Sequence, residues 1–233
     1  MDPKVGNLRP PAPKRWGSTP SIVRVSEQSV PMTWYHIIPY SLLRDVWNRL
    51  VDQHISTQLP AARVAIRQYI SLADPHLVGL DELVDRIRAE NTTQRRAGHN
   101  TLRPLDVAEA NQLAAAAVWP AWDVVEGPSA RSDDKRDQSL DRFTAGLTAI
   151  ELGQMRGIER LFSAFTTFSK ANQFRSSNQG VAAATSLSVL SQSMTSEREA
   201  LSRDLPIRFR AEMWSTDGSA WTKRRATEAA ATP

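Results

Sequence analysis

Cysteine is absent from the 233 residues, which excludes disulfides, thiolate metal sites and cysteine nucleophiles together. Histidine is scarce: His36, His54, His76 and His99 are the only four, and no two stand four residues apart, so there is no His-x-x-x-His zinc helix. None of the 10 glycines falls in a Gly-x-Gly-x-x-Gly or Gly-x-x-x-x-Gly-Lys-Ser/Thr loop, and no Gly-x-Ser-x-Gly elbow occurs. Nucleotide cradles of those kinds and an ordinary α/β-hydrolase site are therefore not indicated. No apolar run approaches the roughly 18 residues of a membrane span, and the first residues carry no apolar signal core. The expectation is a soluble protein with no membrane partner and no secretory signal. No internal repeat supports a solenoid.

What is present is ordinary in bulk. Hydrophobic residues make up 41% and charged residues 23%, close to globular averages, so the chain has the material for one sizeable core. Lys plus Arg number 29 against 25 acids, a net charge of +4. That mild excess permits a nucleic-acid or acidic partner without requiring one.

Along the chain, residues 1–20 hold five of the 14 prolines and little that is apolar except Trp16, which predicts an extended or disordered tail. Ser21 to Val25 is β-branched and reads as a short strand beside a second one over Met32 to Ile38. Helical spacing of apolar residues predicts helices from a Ser41 cap to about His54, from Pro60 to Asp74, and over Leu80 to Ile87. Residues 91–104 read as a basic polar loop. Asp106 caps an alanine-rich helix to about Val118, and Val124-Val125 before Gly127-Pro128 forms a short extended piece ending in a turn. Two long helices are predicted, over 139–172 and 179–203, the first carrying Gly146, Gly153 and Gly157 at up to about 1 kcal/mol each relative to alanine. Residues 206–214 alternate at period two and read as a strand that pairs with the N-terminal one. From 216 to 233 the chain reads as a tail. The predicted fold class is mainly α with a few short β-strands (α+β), a single domain over 21–215. Within it, 21–138 bears the motif, 139–204 is a long helical hairpin, and 206–214 is the strand.

The densest stretch is Thr33-Trp34-Tyr35-His36-Ile37-Ile38-Pro39-Tyr40, running into a helix that carries Arg44, Trp47 and Asn48. Here a strand delivers a histidine, a proline stops it, and a helix begins at once. A second stretch, Trp119-Pro120-Ala121-Trp122-Asp123-Val124-Val125-Glu126-Gly127-Pro128, breaks the helical pattern. Four of the seven tryptophans lie in these two segments, and because aromatic side chains bury large areas the two segments are expected to pack on each other.

The Tyr35-His36-Ile37-Ile38-Pro39 run resembles the "His-His-apolar-apolar-Pro" opening of the HNH or His-Me finger nucleases, particularly those of bacterial polymorphic toxins. In that family the first histidine helps hold a divalent metal, the second activates water, and an asparagine orients the loop. The resemblance implies His36 as the base, with Tyr35 standing where the metal-binding histidine belongs. It implies Asp123 or Asn48 in the asparagine role, the Trp122 to Pro128 segment being similar to the family's "Asn-apolar-apolar-x-Gly/Pro" stretch. Asp133 and Asp134 offer hard oxygen ligands for a divalent cation, magnesium first. Hydrolysis of nucleic-acid phosphodiesters, Arg44, Arg95, Arg96 and Arg131 as nucleic-acid contacts, and a cognate immunity protein follow as expectations, in a cytoplasmic or delivered effector.

Blander assignments stand beside each of these. A histidine at a strand end serves as a hydrogen-bonded structural residue, Asn48 as a surface or capping residue, and Asp133-Asp134 as a solvated loop. Two rivals to an active nuclease follow: a catalytically silent relative that binds nucleic acid or a protein, and a helical assembly protein that forms oligomers through the 139–204 helices.

Overall fold

The structure is a computed structural model that describes residues 3–13, 16, 22–25, 28–57, 60–90, 105–133, 139–171, 179–202 and 205–224. Arg95, Arg96, His99, Asp134 and the last nine residues lie outside them. The chain is mainly α with a few short strands, in the order β1 (Ile22–Val25), β2 (Gln28–His36), α1 (Tyr40–Thr57), α2 (Pro60–Ala73), α3 (Leu80–Glu90), α4 (Val107–Val118), β3 (Val124–Pro128), α5 (Ala149–Ala171), α6 (Gln179–Leu201), β4 (Trp214–Thr216) and β5 (Trp221–Lys223).

β2 is the centre of an antiparallel three-stranded sheet, order β1-β2-β3. Its register with β3 runs from Met32 opposite Pro128 to His36 opposite Val124. Because side chains alternate across a strand, Val30, Met32, Trp34 and His36 share one face while Thr33 and Tyr35 take the other. Val30, Met32 and Trp34 are buried, so His36 closes an apolar row. Helices α1, α2, α5 and α6 pack into the main body, with Leu43, Val46, Trp47, Leu50, Ile66, Ile70, Leu161, Phe165 and Leu190 in its core.

Several local outcomes differ from the pattern-based expectation. The helix predicted from 139 starts ten residues later, at Ala149. Gly146 sits at φ +67 and a Cβ there would lie 2.8 Å from the Met213 amide nitrogen, so this glycine turns the chain where a helix would collide. The start is then set by a Thr-x-x-Glu capping box: Thr148 Oγ1 accepts from Glu151 N at 3.2 Å and Glu151 Oε2 accepts from Thr148 N at 2.9 Å. The 206–214 segment does not pair with the N-terminal strand. Ile207 makes one parallel bridge to Val125 of β3, and the chain then turns through Ala211–Met213 into the β4-β5 hairpin. The domain thus continues past residue 215, since Arg224 N donates to Met213 O at 2.9 Å.

The largest difference lies at the start of the chain. Residues 3–13 form neither helix nor strand and Trp16 closes a tight turn, its N–H donating to Pro13 O at 3.1 Å, yet they pack as a strap: Val5 is 5% exposed and Trp16 1%. Trp47 Nε1 donates to Pro3 O at 2.9 Å and Trp119 Nε1 to Pro10 O at 2.6 Å. The indole N–H groups of two core tryptophans thereby find acceptors in a segment that has no ladder or helix of its own.

Candidate functional site

Asp123 ends a single 3-10 turn, Ala121–Asp123, that is held from several sides. Trp122 Nε1 donates to Leu72 O at 3.1 Å, Gln154 Nε2 donates to Trp122 O at 2.8 Å, and Ile37 N donates to Asp123 O at 2.8 Å. The carboxylate of Asp123 is thereby placed against the end of β2. One oxygen accepts from Ile38 N at 2.7 Å, and the other lies 3.1 Å from His36 Nδ1. The two sequence segments therefore meet in a His36–Asp123 pair whose side chains are 4% and 0% exposed.

The second nitrogen of that imidazole, Nε2, is buried and has no hydrogen-bond partner. The His36 ring centroid lies 4.4 Å from that of Trp119, and the Arg9 guanidinium sits over Trp119 at 5.2 Å and over Tyr40 at 4.6 Å. Burial, and secondarily the charge of Arg9, holds the imidazole well below its ordinary value. Burial pushes the Asp123 carboxyl well above its ordinary range, opposed by the Ile38 N–H and by Arg9. Both shifts favour the uncharged forms. His54 shows the contrast: also buried, its Nε2 is 2.9 Å from Val84 O, a fully accommodated core histidine.

Tyr35, on the opposite face, belongs to a different cluster. Its hydroxyl donates to Pro128 O at 2.5 Å, and its ring lies 4.3 Å from the Arg131 guanidinium, which also faces Trp214 at 5.0 Å and Phe143 at 5.8 Å. Arg131 is 0% exposed and bonds Asp133 and Asp141, each at 3.0 Å, while Lys223 bonds Asp141 as well. Burial works against the charge on Arg131, but its bonds to Asp141 and Asp133 outweigh this and raise its pKa. Burial likewise opposes ionisation of Asp133, yet its bonds to Arg131 and the Lys223 amide hold it below the usual carboxylate range.

These contacts correct several expectations. Arg131 is an interior cation stacked among aromatic rings, not a surface contact for nucleic acid. Asp133 is an ion-pair partner of Arg131, not a solvated loop residue. Asn48 lies away from the His36–Asp123 pair and clamps the strap: Val5 N donates to its Oδ1 at 2.7 Å and its Nδ2 donates to Val5 O at 2.9 Å. Arg44 reaches the strap too, donating to Asn7 Oδ1 at 3.3 Å.

Of the oxygen donors expected for a divalent cation, Asp134 lies outside the described residues and the others already have partners. Both Asp123 oxygens are engaged by His36 and Ile38, both Asp133 oxygens by Arg131 and the Lys223 amide, and the Tyr35 hydroxyl by Pro128. Among the described residues no three His, Asp or Glu side chains are grouped to hold a metal.

No protein-family model matches the sequence, no curated protein matches it, and no solved structure matches its fold. Sequence patterns missed Arg9 and Trp16 as contributors to the surroundings of the site. The one available signal was a lone tryptophan in a proline-rich segment, a large apolar side chain with no reason to be in a free tail.

Proposed function

We propose that this chain is a binding domain, a catalytically silent relative of the HNH or His-Me finger nucleases in its strand–turn–helix, which recognises a partner and does not hydrolyse phosphodiester bonds. The observation that carries this is the sealing of His36. Its ring packs against Trp119, is tied to a buried carboxylate and has its Nε2 buried, with Arg9 of the strap over the neighbouring Trp119 and Tyr40, so a phosphodiester has no approach to Nε2. In this role the His36–Asp123 pair acts as scaffold: it joins the end of β2 to the turn before β3 and fixes where α1 begins.

An active nuclease is the second reading, and the unpartnered Nε2 favours it. A histidine oriented by a carboxylate through Nδ1, with its other nitrogen open, is the arrangement of a general base. Assembly through the α5-α6 hairpin has less behind it, because Leu161, Phe165 and Phe168 of α5 and Leu187, Leu190 and Met194 of α6 are already buried within the chain.

One experiment separates the first two. Purified protein is incubated with plasmid DNA and with structured RNA, with and without magnesium, beside a His36→Ala variant. No cleavage that depends on His36 is the expected result. Cleavage abolished by the substitution would replace the binding reading with the nuclease one.

A further inference from the structure

The strap and its seat have the chemistry of a peptide and its receptor. The side chains that hold residues 3–13 and Trp16 bond the strap largely through its main chain. Trp47 takes the Pro3 carbonyl, Asn48 takes both the N–H and the C=O of Val5, Trp119 takes the Pro10 carbonyl, and Arg208 takes the Trp16 carbonyl at 2.9 Å. Main-chain recognition of an extended, proline-rich segment by indole N–H groups and a side-chain amide is the physics of polyproline grooves: a stiff segment loses little entropy on docking, and its carbonyls project for capture. Two side chains of the strap are buried as anchors, while Arg9 over Tyr40 and Trp119, Asn7 at Arg44 and Lys4 at Asp52 add contacts at the rim. Val5 is buried, and Trp16 enters edge-on between Trp34 at 5.7 Å and Trp119 at 6.0 Å. Gly6, Asn7, Leu8 and Arg9, between these anchors, are exposed, Leu8 to 90%.

The strap is also an incomplete occupant. The seat's Trp34 Nε1 and His36 Nε2 lie on one face of β2, both buried and both without a hydrogen-bond partner. Leaving buried polar atoms unsatisfied is costly, so a segment that placed a polar group there would hold the seat better than the strap does.

We propose that the groove formed by Trp47, Asn48, Trp119 and Trp34 is a docking site for a proline-rich peptide of a partner protein, and that residues 3–13 with Trp16 occupy it in cis as a competitor. The inference rests on the binding reading above. Its test reads peptide capture and not nucleic acid, so each can fail separately.

The probe is a fluorescein-labelled peptide with the sequence of residues 3–16, followed by fluorescence anisotropy. The full chain carrying Val5→Asp, which loosens the strap without touching the seat, is expected to bind the peptide at least tenfold more tightly than wild type. Adding Asn48→Ala to that chain, or Val5→Asp to the peptide, removes at least tenfold of the affinity. A Val5→Asp chain with wild-type circular dichroism that binds no better than wild type overturns the proposal, as does binding indifferent to Asn48→Ala. A stable dimer of that chain that takes up no peptide assigns the seat to a second copy and overturns it too. Should Val5→Asp prevent folding, a protease site inserted between Trp16 and Ile22 of the full chain leaves strap and seat native. After cleavage the labelled peptide is expected to displace the strap, whereas unfolding or a strap that never exchanges makes residues 3–16 integral to the fold and refutes the inference.

Discussion

Asn48 and Val5, 43 residues apart, form a closed two-bond clamp in which one side-chain amide satisfies both main-chain polar groups of the other residue. The clamp fastens the proline-rich start of the chain to the helix that follows His36. Replacing Asn48 with alanine leaves the Val5 groups to water and frees the strap locally. The expected loss is about 1–2 kcal/mol in urea denaturation, with faster hydrogen exchange at the Val5 amide than at helix-core amides. An unchanged Val5 exchange rate would show that the clamp does not hold the strap.

Acid sensitivity should follow from His36. Its folded value is depressed by burial and by Arg9, so the unfolded chain takes up a proton near pH 6.5 while the folded chain resists doing so. The contribution of this group is therefore fully present above about pH 6.5 and declines as pH falls, by up to about 1.4 kcal/mol per pH unit. Asp123, with its folded value raised, acts in the opposite sense and loses its contribution as pH rises from its ordinary range. Between pH 7 and 5 the wild type is expected to lose more stability than a His36→Gln variant, read as the shift in urea midpoint. Equal shifts in both proteins would contradict this.

Arg131 should be among the most costly residues to truncate. Arg131→Met keeps the apolar stem but strands Asp133 and Asp141 with Lys223 as their remaining cation. Breaking a buried pair from one side costs about 3–5 kcal/mol. A variant that melts within about 1 kcal/mol of wild type would show that Lys223 compensates.

Two glycines give opposite expectations for the same substitution. Gly146→Ala, at positive φ and against the Met213 backbone, should destabilise by more than about 1 kcal/mol. Gly153→Ala lies within α5 with open space around its Cβ position and should stabilise by up to about 1 kcal/mol. Thermal melts of the two variants compared with wild type check both signs.

Much of the architecture was legible in the sequence because it depends on local periodicity and caps. The apolar spacing of α1, α2 and α3 reports a buried face on each, Asp106 marks the start of α4, and the β-branched and aromatic run from Met32 marks the second half of β2. That the two segments meet was legible too, through their clustered tryptophans, although the choice between Asp123 and Asn48 as the partner of His36 was not. Tertiary structure alone decided the rest, because those outcomes depend on contacts between residues far apart in the chain. Gly146 halts a helix through the Met213 backbone that lies beside it, more than 60 residues on. Asp133 becomes an ion-pair partner because Arg131 is folded under Tyr35 and Trp214. A proline-rich stretch becomes a strap only when Trp47, Asn48 and Trp119 are assembled to receive its carbonyls. No pattern within the strap encodes that seat, since the groups that form it come from β2, α1, the end of α4 and Arg208.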